Sequence, residues 1–130
     1  MKKRVKMISG IVLALMLLTL SIPVFARSPA DASQWYGNVG YGDEKVAENV
    51  LKNNDYTLTY LEFTGAPERI NIILTGKLTN GVVASATTTV PLGAVKYAST
   101  GAVRGQRLNL IATREHLFDQ ILAVRGMWRP

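Results

Sequence analysis

The sequence predicts a small α+β domain: a four- or five-stranded antiparallel meander sheet flanked by an N-terminal and a C-terminal helix. Residues 56–63, 69–78, 82–90 and 107–112 are rich in β-branched and aromatic side chains or alternate between apolar and polar, as strands do. Asn80-Gly81 falls between two of these runs and is a strong hairpin signal. Residues 43–53 and 113–125 instead space their apolar side chains as helices do, each behind a capping residue.

The first 26 residues read as an address and not as part of that fold. Lys2, Lys3, Arg4 and Lys6 precede a fifteen-residue apolar run, Ile8 to Ile22, and Val24-Phe25-Ala26 follows Pro23. Charge, apolar run and small-residue cut site, in that order, describe a secretory signal peptide over residues 1–26. A second small-x-small site lies at Ala30-Asp31-Ala32. The run is shorter than the roughly 20 residues a membrane-spanning helix needs, so membrane contact is expected only before cleavage. Cleavage after Ala26 leaves 104 residues, Arg27 to Pro130, enough for one core. The expectation is a bacterial protein exported to the periplasm, cell wall or medium.

The formal charge of +6 and the pI near 9.8 overstate how basic the domain is. Without the four basic residues of the leader, eleven basic and nine acidic residues remain, a net +2. That balance does not argue for nucleic acid as a partner. The distribution is uneven: residues 27–68 carry net −4 and residues 69–130 net +6. The chain has no cysteine and one histidine. Disulfides, thiol chemistry, cysteine-bound zinc and a histidine-rich metal site are therefore excluded, and no cofactor is expected.

The mature chain opens on an irregular arm, residues 27–42, with Trp35, Tyr36 and Tyr41 among three glycines. These aromatics either pin the arm to the domain or line a ligand groove. Asp43 caps the first helix, whose apolar side is Val46, Ala47, Val50 and Leu51. The 56–63 strand follows, then a turn at Gly65-Ala66-Pro67. Ile70–Leu78 and Val82–Val90 form a hairpin. A two-residue loop would set the apolar face of one strand beside the polar face of the other. A three-residue loop, Thr79-Asn80-Gly81, pairs Leu78 with Val82, Leu74 with Ala86, Ile72 with Thr88 and Ile70 with Val90, on one apolar face. Gly81 then takes the left-handed bulge position. Pro91-Leu92-Gly93 ends that strand. Residues 94–106 admit a short strand at Val95-Lys96-Tyr97. After the 107–112 strand, Thr113 caps the second helix, with Leu117, Phe118, Ile121, Leu122 and Val124 as its stripe and Gly126 as its stop.

Chemistry-bearing residues are few. His116 lies near Asp119 and Gln120 at helical spacing, which suits a carboxylate-oriented general base, but also a plain surface histidine. Glu44, Glu48, Glu62 and Glu68 could supply an acidic pair for glycoside hydrolysis, on a chain small for that task. Arg104, Arg107, Arg114, Arg125 and Arg129 form a basic set suited to carboxylate or phosphate. They converge only if the second helix packs back along the 107–112 strand. Ser85 and Thr87-Thr88-Thr89 make a polar ribbon that could receive a partner strand. The leading expectation is an exported, non-catalytic domain of the cell envelope that binds an envelope protein or an anionic polymer. The binding residues would be the five arginines with Trp35, Tyr36 and Tyr41. Alternatives are a small secreted hydrolase using His116 or an acidic pair, and an envelope assembly subunit that self-associates.

Overall fold

A computed structural model of the chain describes residues 29–40, 42–115 and 120–130. The chain divides into two units, Met1–Ala30 and Asp31–Pro130, and the second contains every element below. The leader over residues 1–26, Tyr41, His116 and Asp119 lie outside the described residues.

Eight strands run along the chain: β1 Ser33–Val39, β2 Glu44–Leu51, β3 Leu58–Gly65, β4 Asn71–Leu78, β5 Thr88–Pro91, β6 Val95–Ser99, β7 Arg107–Arg114 and β8 Leu122–Arg129. They form two four-stranded antiparallel sheets, in the orders β1-β8-β3-β6 and β2-β7-β4-β5. The chain changes sheet at every connection except β4 to β5. This is the strand order of a double Greek-key jelly roll. Among the described residues there is no helix, so the single meander sheet flanked by two helices is corrected to an all-β sandwich.

The two inner faces share one core. Trp35, Leu61, Phe63, Ala98, Val124 and Trp128 come from the first sheet, and Val46, Ile72, Leu74, Val90, Leu108, Leu110 and Ala112 from the second. β4 and β7 alternate buried and part-exposed residues along their length, the two-residue period of a strand with one face on a core.

The expected first helix is β2, and its helical look has a physical cause. Eight residues of β2 lie against six of β7, with register shifts between Lys45 and Ala47 and between Ala47 and Val50. Two bulges break the strict alternation. Val46, Ala47 and Val50 can then all meet the core, an i, i+1, i+4 pattern that mimics a helix face. Asn49 pays for the second bulge with φ 54°. Its N–H donates to Asn109 Oδ1 at 2.8 Å, and its carbonyl accepts from Arg107 at 3.0 Å.

Of the expected second helix, Thr113 and Arg114 belong to β7 and residues from Leu122 on to β8, while Leu117 and Phe118 of its stripe lie outside the described residues. Leu122, Val124, Gly126 and Trp128 all point inward at strict alternation. Gly126 is not a helix stop but a mid-strand residue. The arm over residues 27–42 is corrected too, since Ser33–Val39 is β1, in continuous register with β8.

The hairpin forms with the three-residue loop. Leu78 N–H donates to the Val82 carbonyl and Gly81 N–H to the Leu78 carbonyl, each at 2.8 Å, with Gly81 at φ 92°. Beyond it the register departs from expectation. The Gly76 carbonyl accepts from both Ala84 (2.9 Å) and Ser85 (3.0 Å). Ile72 then faces Val90 and Leu74 faces Thr88. The shift is two residues, so the faces are preserved and face matching cannot detect it. Ser85 turns inward and its hydroxyl accepts the Gly76 N–H at 2.7 Å. Ala86 N–H donates to Ser99 and Gly101 N–H to Ala84, so this segment leaves β4 for the end of β6.

Candidate functional site

The five arginines do not converge. Arg104 makes a bidentate pair with Asp55 at 3.0 and 3.1 Å. Arg107 faces outward from the β2-β7-β4-β5 sheet and holds the Asn49 carbonyl. Arg114 is buried, donates to the Gln120 carbonyl at 2.6 Å and lies 3.7 Å from the Glu68 carboxylate. Arg129 lies 4.4 Å from the centre of the Tyr56 ring, with Asp31 at 4.0 Å. Arg125 stands on the outer face of the other sheet. The predicted helix that would have gathered them is absent among the described residues, and β7 and β8 lie in different sheets.

The aromatic candidates separate as well. Trp35 is fully buried, with its indole N–H donating to the Met127 carbonyl at 3.2 Å, so it is a core residue. Tyr36, its neighbour on the opposite face of β1, is 74% exposed. The acidic candidates are also scattered. Glu44 and Glu48 are on β2, Glu62 faces outward on β3 beside the Tyr60 hydroxyl, and Glu68 is between β3 and β4. Among the described residues no group of three or more acids or histidines can hold a metal ion.

Tyr36 and Arg125 do meet. β8 lies between β1 and β3, and the register sets Tyr36 across from Arg125 and Asn38 across from Ala123. On its other side Arg125 pairs with Gly65, just past an irregularity in β3. A Cβ at Gly65 would lie 2.8 Å from Arg125 Cγ and 3.1 Å from Cδ, so the arginine stem lies flat across this glycine. Thr64 donates to the Arg125 carbonyl at 3.3 Å. The Pro91-Leu92-Gly93 turn sits beside the end of β3, because Gly93 N–H donates to the Phe63 carbonyl at 2.7 Å and Phe63 N–H to Ala94 at 3.2 Å.

These pieces bound an open groove of about 670 Å³, lined by Tyr36–Asn38, Thr64–Pro67, Leu92-Gly93 and Ala123–Arg125. Such a volume suits a small ligand or one unit of a polymer. Small residues form much of the surface, and one aromatic ring, one amide, two hydroxyls and one guanidinium supply the chemistry. Among the described residues no carboxylate lies within ion-pair distance of Arg125, whereas Arg104, Arg114 and Arg129 each have an acid nearby.

A second buried cation is structural. Lys52 is fully buried at the end of β2, and its ammonium donates to Asn54 Oδ1 (2.8 Å), the Tyr56 carbonyl (2.9 Å) and the main-chain oxygen of Pro130 (3.1 Å). Burial holds its pKa below the usual lysine value, and the Arg129 charge acts the same way, while Asp55 and Asp31 oppose both.

Comparison with protein-family models, with curated proteins and with solved structures returns no match for this chain.

Proposed function

We propose that this is a non-catalytic binding domain exported to the bacterial cell envelope, and that it holds an anionic envelope polymer in the groove on the outer face of the β1-β8-β3-β6 sheet. The supporting observation is the placement of Arg125 beside the exposed Tyr36 with no carboxylate of its own among the described residues. Guanidinium presents paired donors to a carboxylate or phosphate. The tyrosine ring offers an apolar face and a polar edge, the combination that a sugar ring presents in return. Gly65 lets the Arg125 stem lie flat along the sheet, and Ala123 leaves room for close approach to the floor. Export rests on the charged, apolar and small-residue order of the first 26 residues.

The test is co-sedimentation of the purified domain with isolated cell-wall polymer. The wild type should pellet with it, and Arg125→Ala, still folded by circular dichroism, should stay in the supernatant. Equal pelleting of the two proteins would remove the groove from the account.

A further inference from the structure

Each sheet has two edges, and three of the four are guarded. The β2 edge carries two bulges, a left-handed Asn49 and the charges of Glu44, Lys45 and Glu48. The β5 edge is four residues long and ends in Pro91, and Ser85 of the expected polar ribbon is buried. The β6 edge is covered at its end by residues 84–86, through Ala86 N–H to Ser99 and the Ser85–Thr100 bridge. Bulges, charge, proline, shortness and covering segments are the devices that keep strand edges from pairing with other chains.

Among the described residues β1 has none of them. Ser33-Gln34-Trp35-Tyr36-Gly37-Asn38-Val39 contains no charge and no proline, and its seven-residue register with β8 is unbroken. Among the described residues its main-chain hydrogen bonds go to β8 alone. β2 approaches it from the other sheet, with Val46 Cγ1 only 2.7 Å from where a Gly37 Cβ would be, but the two strands do not pair. Among the described residues a row of donors and acceptors is left open to water, and another extended backbone can pair with the whole of such a row.

We propose that β1 pairs antiparallel with β1 of a second copy of this chain, making a two-fold dimer with one continuous eight-stranded sheet. Three features favour a second copy over a foreign strand. The strand is uncharged, so two copies approach without repulsion. Each copy offers the same seven residues, which a two-fold axis brings together in full register about Tyr36. The outer seam beside β1 carries Lys45 and Glu48, 3.6 Å apart, a balanced pair that repels neither a copy nor itself. With one unguarded edge per copy the contact closes as a dimer instead of propagating as a fibre. The pairing also sets two Tyr36–Arg125 grooves side by side, so a polymer could be held at two points at once. The dimer rests on the β1 edge alone and needs no ligand in the groove.

Sedimentation velocity of the domain at rising concentration tests it. The expected result is a monomer–dimer equilibrium. In full register Gln34 lies opposite Asn38 of the partner subunit, so the double variant Gln34→Lys with Asn38→Lys should lose the dimer by like-charge repulsion. Both side chains are exposed, so the fold should stand. Mixing that variant with a second one, Gln34→Glu with Asn38→Glu, should restore a dimer, which an unfolded variant could not do. A monomer at millimolar concentration, or a dimer indifferent to both double variants, would overturn the proposal. A larger, open-ended assembly would overturn it as well.

Discussion

Gly126 lies under the Trp35 ring. The two are register partners on β8 and β1, and a Cβ at position 126 would come within 2.5 Å of the indole and run into the Glu62 carbonyl on β3. Hydrogen at this position lets the ring close over β8 while its N–H reaches the next carbonyl, that of Met127. Both obstacles belong to buried, well-fixed parts of the sheet, so neither can yield cheaply. Gly126→Ala should therefore cost about 3 kcal/mol, the upper end of ordinary overpacking. Urea denaturation of the variant measures it, and an unshifted midpoint would contradict this packing.

The same glycine shows where the sequence misleads. A glycine after Arg125 and a run of apolar residues has the form of a helix stop, and only the tryptophan packed on it gives the mid-strand reason for its being there. β2 misleads differently, because two bulges convert a strand into something with helical spacing. β3, β4 and β7 were legible because their alternation is unbroken or their residues strongly β-branched, and the Thr79-Asn80-Gly81 loop was legible because face matching selects it. Val95-Lys96-Tyr97 is too short a run to decide β6. The two-residue shift at Ser85 was hidden, since an even slip leaves every side chain on its own face. At the groove, Tyr36 and Arg125 are visible as candidates, but for reasons that also picked out the buried Trp35 and the committed Arg104. Gly65-Ala66-Pro67 and Pro91-Leu92-Gly93 are visible as turns. That they lie side by side is a long-range fact, carried by the bonds between Phe63 and residues 93 and 94.

Gly81 gives a clean measure of backbone strain. It sits at φ 92°, and a Cβ there would meet nothing within 4 Å. Any loss on substitution is then conformational and not steric packing. Gly81→Val should cost about 1–2 kcal/mol, the penalty of the left-handed region for a residue with a Cβ. Gly81→Asn should cost less, because asparagine tolerates that region better. Equal losses for valine and asparagine, measured by thermal unfolding, would show that the loop relaxes out of this conformation.

Lys52 makes stability depend on pH. Its pKa is lowered in the folded protein by burial first and by Arg129 second. Between that lowered value and the unfolded value near 10.4, the unfolded chain binds more protons than the folded one. Stability from this group therefore rises with pH across that window, and the cost of burying the charge is present in full below it. Lys52→Met removes the charge and the ammonium's bonds to Asn54 Oδ1 and to the Tyr56 and Pro130 oxygens. Tyr56 N–H still serves Asn54 Oδ1 and Asn54 Nδ2 still serves Pro130, so the loss, about 1–3 kcal/mol, falls chiefly on the Tyr56 carbonyl. At neutral pH the variant should be the less stable protein, and the gap should widen as pH is raised toward 10, in proportion to the protons released. A gap that narrows on that side would mean the lysine is not held below its usual pKa.

The arginines separate a binding surface from a merely basic chain. Arg107 and Arg125 carry the same charge but face outward from opposite sheets. If net charge alone drew the polymer, Arg107→Glu and Arg125→Glu would weaken binding alike, and Arg104→Glu would join them. If the groove holds it, only Arg125→Glu should matter strongly. A charge-assisted contact of about 1.5–3 kcal/mol corresponds to roughly a tenfold to hundredfold loss of affinity. Tyr36→Ala should weaken binding through the same groove, while Arg104→Ala should remove only an exposed pair with Asp55, worth under about 1 kcal/mol of stability. Added salt should weaken wild-type binding, because exposed charges are screened over about 8 Å at physiological ionic strength. Calorimetric titration of each variant with soluble polymer fragments reads all of these. Equal losses at Arg107 and Arg125 would replace the groove with a diffuse field.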